Sequence, residues 1–214
     1  MIPRQQTAGM LGILAGISLA ILFLLFLTSG AEPDTFTDPA KALPYLTQNE
    51  GRLRAVAFFA AVTVALSVFF FAGLAGKLRD KTPTRATGVL YFGILGLAGH
   101  GLSALMFWLG APALVDYAAK DQVAVSHAWV AISALNATLD GFGNLFVGLS
   151  ILLAGWAIVA TRGLSPTLGW YGLAAGVLTL LTVAAPGNQV LFIGSLVLPA
   201  IWLLWAGNTL RRAM

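Results

Sequence analysis

Six stretches of this sequence are long and apolar enough to cross a membrane as helices. A hydrocarbon core of roughly 30 Å needs about 20 helical residues, and the stretches lie at residues 8–29, 55–76, 86–109, 139–160, 167–185 and 189–209. None alternates apolar and polar residues as a strand of a membrane barrel does. The sequence therefore predicts an all-α polytopic membrane bundle with six transmembrane helices, forming one integral membrane domain over residues 1–214.

The composition excludes a water-soluble domain. Only 9% of the residues are charged and 58% are hydrophobic, whereas a soluble domain carries about 25% charged residues. So few charges would not cover the surface of a chain of this length against water. The first apolar stretch also exceeds the 7–15 residues typical of a signal peptide, so we expect it to be retained as a helix.

The basic residues of the loops predict the orientation. With the amino terminus inside, eight basic residues face the cytoplasm and four face outward; the first group is Arg4, Lys77, Arg79, Lys81, Arg85, Arg162, Arg211 and Arg212, and the second is Lys41, Arg52, Arg54 and Lys120. We therefore expect a multi-pass protein of the bacterial cytoplasmic (inner) membrane with both termini cytoplasmic. Because these charges are scattered through the loops, they do not indicate a nucleic-acid partner.

The segment before the fourth stretch is too apolar for a loop. Its polar residues Ser126, Ser133 and Asn136 recur at roughly helical spacing, and Asp116 and Lys120 form an i,i+4 pair. This pattern predicts an amphipathic extension that runs into the fourth span as one helix over residues 123–160. The alternative, a seventh span, would need a very tight reversal at residues 140–141.

Five polar side chains form the candidate site. Asn136, Asp140 and Asn144 are spaced by four and share one helical face, and an acid within a membrane helix is a functional candidate by default. His100 lies between two glycines inside the third span. Arg54 begins the second span at the depth of Asp140, which predicts an ion pair between them. Two interpretations stand: a polar pocket open to the outside with His100 at its floor, or a buried ion pair that fixes helix register.

The 24 glycines predict close helix packing. Small residues recur every four positions in the first span and every seven in the fourth, which indicates either packing within the chain or homo- or hetero-oligomerisation. The first span contains Thr7, Gly9, Gly12 and a following Ala-Gly pair, and the fifth repeats this spacing from Thr167. The repeat indicates either two parallel hairpins or a chance similarity.

The sequence also excludes several activities. The absence of cysteine excludes thiolate metal sites and iron–sulfur clusters, and the absence of a lysine within the spans excludes a retinal Schiff base. Haem would need a second axial ligand, but His127 lies at or beyond the outer interface. No nucleotide-binding, zinc-protease or nucleophile-elbow motif is present. We therefore expect no cofactor and no metal, and the lipid bilayer as the one certain partner.

Several strings resemble a known family. Phe146-x-Gly148-Leu149, Leu153-x-Gly155, Gly163-Leu164-x-Pro166-x-Leu168-Gly169 and the run of residues 49–54 resemble a bacterial family of six-helix membrane proteins classed as a domain of unknown function, DUF4386. The resemblance covers nearly the whole chain and implies no activity. The leading hypothesis is a non-enzymatic membrane component, either an accessory or assembly subunit or a small-ligand-binding module. A small-solute or ion transporter is the alternative, and a membrane enzyme is the second.

Overall fold

The computed structural model describes residues 5–31, 35–36, 38–106, 110–118 and 120–212, which form eight helices and, within these ranges, no strand. The helices are α1 Gln5–Leu27, α2 Pro39–Gln48, α3 Glu50–Arg79, α4 Pro83–Leu105, α5 Ala111–Ala118, α6 Gln122–Thr161, α7 Pro166–Ala184 and α8 Gln189–Arg212. Six of them, all but α2 and α5, are long and apolar enough to cross a membrane. The predicted six-span membrane bundle is confirmed. Arg4 and Leu109, used in the predictions above, lie outside the described residues.

The six spans form a closed ring. Each packs on its neighbours in the order α1, α3, α4, α6, α7 and α8, and α8 packs back on α1. Neighbours in the ring run antiparallel because consecutive spans cross the bundle in opposite directions and the number of spans is even. A ring of six helices encloses a central space, and its contents differ between the two ends of the bundle. We call the end where α1 begins and α8 ends the terminal end, and the opposite end the cap end.

Glycines set the spacing between neighbouring spans. A Cβ atom on Gly9 of α1 would lie 2.6 Å from the carbonyl oxygen of Gly207 in α8, and one on Gly155 of α6 would lie 2.7 Å from that of Gly169 in α7. Such contacts leave no room for any other residue. Gly141, the remaining glycine of the seven-residue pattern, has open space around it. Most of the predicted small-residue faces therefore serve packing within the chain.

The repeated motif of the first and fifth spans occupies equivalent positions. Gly12 of α1 accommodates the ring of Phe70 from α3, the next helix of the ring. Gly172 of α7 accommodates the indole of Trp202 from α8, again the next helix. In both cases a glycine receives an aromatic side chain from the following antiparallel helix. The structure thus matches the parallel hairpin pattern that the sequence spacing indicates.

The long fourth span is continuous, as predicted. Helix α6 has 40 residues, about 60 Å at 1.5 Å per residue, so it extends well beyond a hydrocarbon core of roughly 30 Å. It begins where the Asp121 carboxylate accepts a hydrogen bond from the amide of Ala124 at 3.0 Å. The predicted Asp116–Lys120 pair is wrong: α5 ends at Ala118, and the Lys120 ammonium lies over the Tyr117 ring.

A small cap covers the cap end of the ring. It consists of α2, α5 and the first turns of α6, packed around the fully buried indole of Trp129. The indole N–H donates to the carbonyl oxygen of Phe36 at 3.1 Å. Helix α2 begins at Pro39, where the Asp38 carboxylate accepts a hydrogen bond from the amide of Ala40 at 2.9 Å.

The terminal end is a solid core. Phe70, Leu74, Leu168, Trp202 and Leu210 are all completely buried there. Basic side chains of this end bind neighbouring helix ends. The guanidinium carbon of Arg85 lies 3.9 Å from the centre of the Trp156 ring, and the Lys81 ammonium donates to the carbonyl oxygen of Thr161 at 3.4 Å. The central space of the ring is therefore filled at this end.

Candidate functional site

A cavity of about 430 Å³ occupies the ring on the cap side of this core and is partly open to the surroundings. All six spans line it. The floor of the cavity borders the packed core and consists of Phe71, Ile151 and Leu203. Phe36 and Tyr45 lie at the cap. The volume of the cavity lies within the range of roughly 300–1,000 Å³ found for small-molecule sites, and like them it is mostly apolar with a few polar groups.

Close approach of α4 to α6 builds one wall of this cavity. Added Cβ atoms on Gly96 and Gly99 of α4 would lie 2.8 Å from the carbonyl oxygen of Gly143 and 2.9 Å from that of Leu139. The imidazole of His100 lies directly against Gly143, where a Cβ atom would be 2.7 Å from the ring. The glycines of both helices therefore hold His100 against the backbone of α6.

This contact places four predicted site residues together. The Nδ1 atom of His100 lies 3.3 Å from a carboxylate oxygen of Asp140, which fits a hydrogen bond. One turn toward the cap, the Ser103 hydroxyl donates to the side-chain oxygen of Asn136 at 2.8 Å. One turn toward the floor, Asn144 lines the cavity and makes no side-chain hydrogen bond within the described residues. We call His100, Ser103, Asn136, Asp140 and Asn144 the polar wall.

The predicted Arg54–Asp140 ion pair is wrong. Asp140 has a partner, but it is His100, while Arg54 pairs with Glu50 one turn away on α3 and is exposed. Arg54 lies nearer the cap than Asp140, because Val64, ten residues further along α3, faces Gly101 beside His100, and Arg54 also points outward. Arg52, two positions away, faces the cavity and donates to the carbonyl oxygen of Thr28 at 2.6 Å. Two helical residues differ by about 200° in direction, so the helix presents Arg52 inward and Arg54 outward.

His100 lies on a wall of the cavity, whereas the sequence predicts it at the floor. It forms part of the wall, and the cavity continues beyond it to the apolar floor. Ser103 is a residue that sequence reasoning missed. The spacing in the sequence could have identified it, because Ser103 follows His100 by three positions and Asn136 precedes Asp140 by four. Two polar residues one turn apart on each of two helices indicate a shared contact.

Three hydroxyls of the other walls are already engaged. Thr63 donates to the carbonyl oxygen of Phe59 at 2.8 Å, Thr179 to that of Ala175 at 2.9 Å and Ser195 to that of Phe192 at 2.7 Å, each within its own helix. Such hydroxyls offer a ligand little more than an apolar surface. The polar wall therefore holds the largest group of hydrogen-bonding side chains in the cavity.

Ser103 donates to Asn136 and not to His100, so the described wall does not contain a serine activated by a histidine. Among the described residues no group of three or more His, Asp or Glu side chains is placed to hold a metal ion. His127 lies thirteen positions before Asp140 on α6, about 20 Å along the helix, so the two histidines do not face one another.

Comparison with known proteins agrees with this architecture. No curated protein and no solved structure matches the chain. A sequence profile described as "Domain of unknown function (DUF4386)" matches residues 14–207, which include α3, α4, α6 and α7 complete, α1 from residue 14 and α8 to residue 207. The match contains every residue of the polar wall and the whole cavity floor. The chain therefore belongs to the DUF4386 family of multi-pass membrane proteins.

Proposed function

We propose that this protein is a non-enzymatic small-ligand-binding module of the membrane. The observation that carries the proposal is a cavity of about 430 Å³ enclosed by all six spans, with the largest group of its hydrogen-bonding side chains on one wall. Packing alone would not require this space, because the terminal half of the same ring is filled. The ligand is a small molecule with an apolar body and one polar end, since these properties complement an apolar cavity with a single polar wall.

Filling the cavity tests this proposal. Ala60 of α3 lines the cavity, whereas Ala65 of the same helix is exposed on the outside of the bundle. Overpacking costs about 1–3 kcal/mol, and 1.4 kcal/mol is tenfold in affinity. We therefore expect Ala60→Phe to reduce co-purifying small molecule by about tenfold or more and Ala65→Phe to leave it unchanged. Mass spectrometry of extracts from protein purified in mild detergent measures both, and equal ligand content in the two variants would contradict the proposal.

Transport is the second candidate function, and one observation favours it. The cavity is partly open and ends at a packed core, as expected for one of the two states of an alternating-access carrier. Release to the other side would require the core around Trp202 to open. Uptake of a ligand identified by co-purification into proteoliposomes distinguishes the two functions. Accumulation that Ala60→Phe abolishes indicates transport, and binding without accumulation indicates a binding module.

We further propose a location in the bacterial cytoplasmic membrane with both termini cytoplasmic. The basic side chains of the terminal end support this orientation under the positive-inside rule. The chain has no cysteine, so single cysteines report topology cleanly. We expect Lys120→Cys, at the cap end, to react with a membrane-impermeant maleimide on intact cells, and Lys81→Cys to react only after permeabilisation. The reverse pattern, or equal labelling of the two, would refute the orientation.

A further inference from the structure

Asp140 is the one carboxylate of the polar wall. One oxygen of the Asp140 carboxylate faces His100 at 3.3 Å, and the other has no hydrogen bond within the described residues. The side chain of Asp140 is 46% exposed and lines the cavity. Asp140 thus lines the cavity with one carboxylate oxygen that makes no protein hydrogen bond in the described residues.

Among the described residues, no lysine or arginine pairs with this carboxylate, and His100 is its one nitrogen partner. Arg54 is exposed and paired with Glu50, so it does not line the cavity. Arg52 does line the cavity, but it lies in the first turn of α3, about 18 Å of helix before Val64. Val64 marks the level of His100, because it faces the neighbouring Gly101. At that separation from Asp140, and bound to the carbonyl oxygen of Thr28 at 2.6 Å, Arg52 does not neutralise the wall.

Helix α8 also contains a carbonyl oxygen that lacks its usual helical donor. Pro199 lies inside this helix, and proline has no N–H to donate to the carbonyl oxygen four residues earlier. The carbonyl oxygen of Ser195 is thereby left without its helical donor. Ser195 and Pro199 both line the cavity. Unused acceptors consequently occur on α8 as well as on the polar wall.

The geometry points to a ligand whose polar end is a protonated amine, held by Asp140 and Asn144 with its apolar body directed toward the floor at Phe71, Ile151 and Leu203. This inference rests on the proposed function and names the ligand class of the same cavity. An ammonium group supplies up to three donors and the positive charge that Asp140 lacks. An alcohol would supply one donor and no charge, and a carboxylate would meet Asp140 with like charge.

A matched series of ligands tests the assignment. Phenylbutylamine, phenylbutanol and phenylbutyrate share one apolar body and differ in the polar end. With the protein in nanodiscs of neutral phosphatidylcholine, dissociation constants follow from the ligand dependence of the unfolding temperature. Since hydrogen bonds to charged groups are the stronger ones, we expect the amine to bind about tenfold or more tightly than the alcohol, and the carboxylate to bind most weakly.

Variants then separate this inference from the proposed function. In Asp140→Asn, amine affinity should fall to that of the alcohol, and unchanged phenylbutanol binding shows that the cavity is intact. Asp116→Asn, on the exposed face of α5 and outside the cavity, should change nothing. Asn144→Asp, which adds a second carboxylate to the wall, should increase the preference for the amine.

The outcomes are distinct. If the alcohol binds as tightly as the amine, or if Asp140→Asn keeps the preference, the amine assignment is wrong while the binding function stands. If none of the three compounds binds, or if Ala60→Phe leaves the binding of all three unchanged, the binding function fails and the assignment fails with it.

Discussion

Trp202→Ala is expected to be the most destabilising single substitution in this protein, at about 3–5 kcal/mol. The indole is completely buried, and its ring centre lies 5.7 Å from that of Phe70 and 6.3 Å from that of Phe71. It also fills the space above Gly172, where an added Cβ would lie 2.7 Å from the indole nitrogen. Because lipid is as apolar as this core, the loss comes from packing contacts rather than from transfer out of water.

The matched control is Trp170→Ala on α7, whose side chain is 63% exposed. We expect that variant to unfold at nearly the wild-type concentration of sodium dodecyl sulfate in a titration from mild detergent. Trp202→Phe should cost much less than Trp202→Ala, since the indole N–H has no hydrogen-bond partner in the described part of the chain. Equal stability of the two alanine variants would show that the terminal core does not support the cavity floor.

Gly155→Ala should have the second largest effect, a loss of about 1–3 kcal/mol. A Cβ atom at this position would lie 2.7 Å from both the carbonyl oxygen of Gly169 and the amide nitrogen of Leu173. Both contacts are to the backbone of α7, so rotation of a side chain cannot relieve them. The two helices would have to separate, and the packing between α6 and α7 would be lost along several turns.

Gly141→Ala provides the control within the same helix. Nothing lies within 4 Å of a Cβ at Gly141, and alanine is the better helix former by about 1 kcal/mol. We expect this variant to be as stable as the wild type or slightly more stable in the same detergent titration. If the Gly155→Ala protein were as stable as the Gly141→Ala protein in this titration, the close α6–α7 contact would not be formed.

The spans were predictable because their signal is local. Twenty consecutive apolar residues have few alternatives to a membrane helix, and the continuity of α6 followed from polar residues at helical spacing. Helix α5 was harder to recognise: its eight residues merge with the following segment in composition, and the boundary depends on the Asp121 cap. Local chemistry thus predicts where helices lie better than where short ones end.

The site was predictable in its residues but not in its pairings. The spacing of Asn136, Asp140 and Asn144 places them on one face whatever the fold. The partner of Asp140 depends on which neighbour α6 meets and on how that neighbour is rotated. His100 reaches it because Gly143 leaves room for the ring. Arg54 does not, because it lies ten residues toward the cap from Val64, the residue of α3 level with His100, and is exposed on the outside of that helix.

The most direct test of the account is whether the cap half of the ring is an open cavity. Ser195 lines the cavity, whereas Ser150 is completely buried and donates to the carbonyl oxygen of Val89 at 2.7 Å. Cysteine is nearly isosteric with serine, and the chain has no other thiol. We predict that a charged trimethylammonium methanethiosulfonate reagent modifies Ser195→Cys rapidly and Ser150→Cys hardly at all, and that Ala60→Phe slows the first reaction. Equal protection of both cysteines would mean that the bundle is closed and dry, which would contradict a ligand cavity.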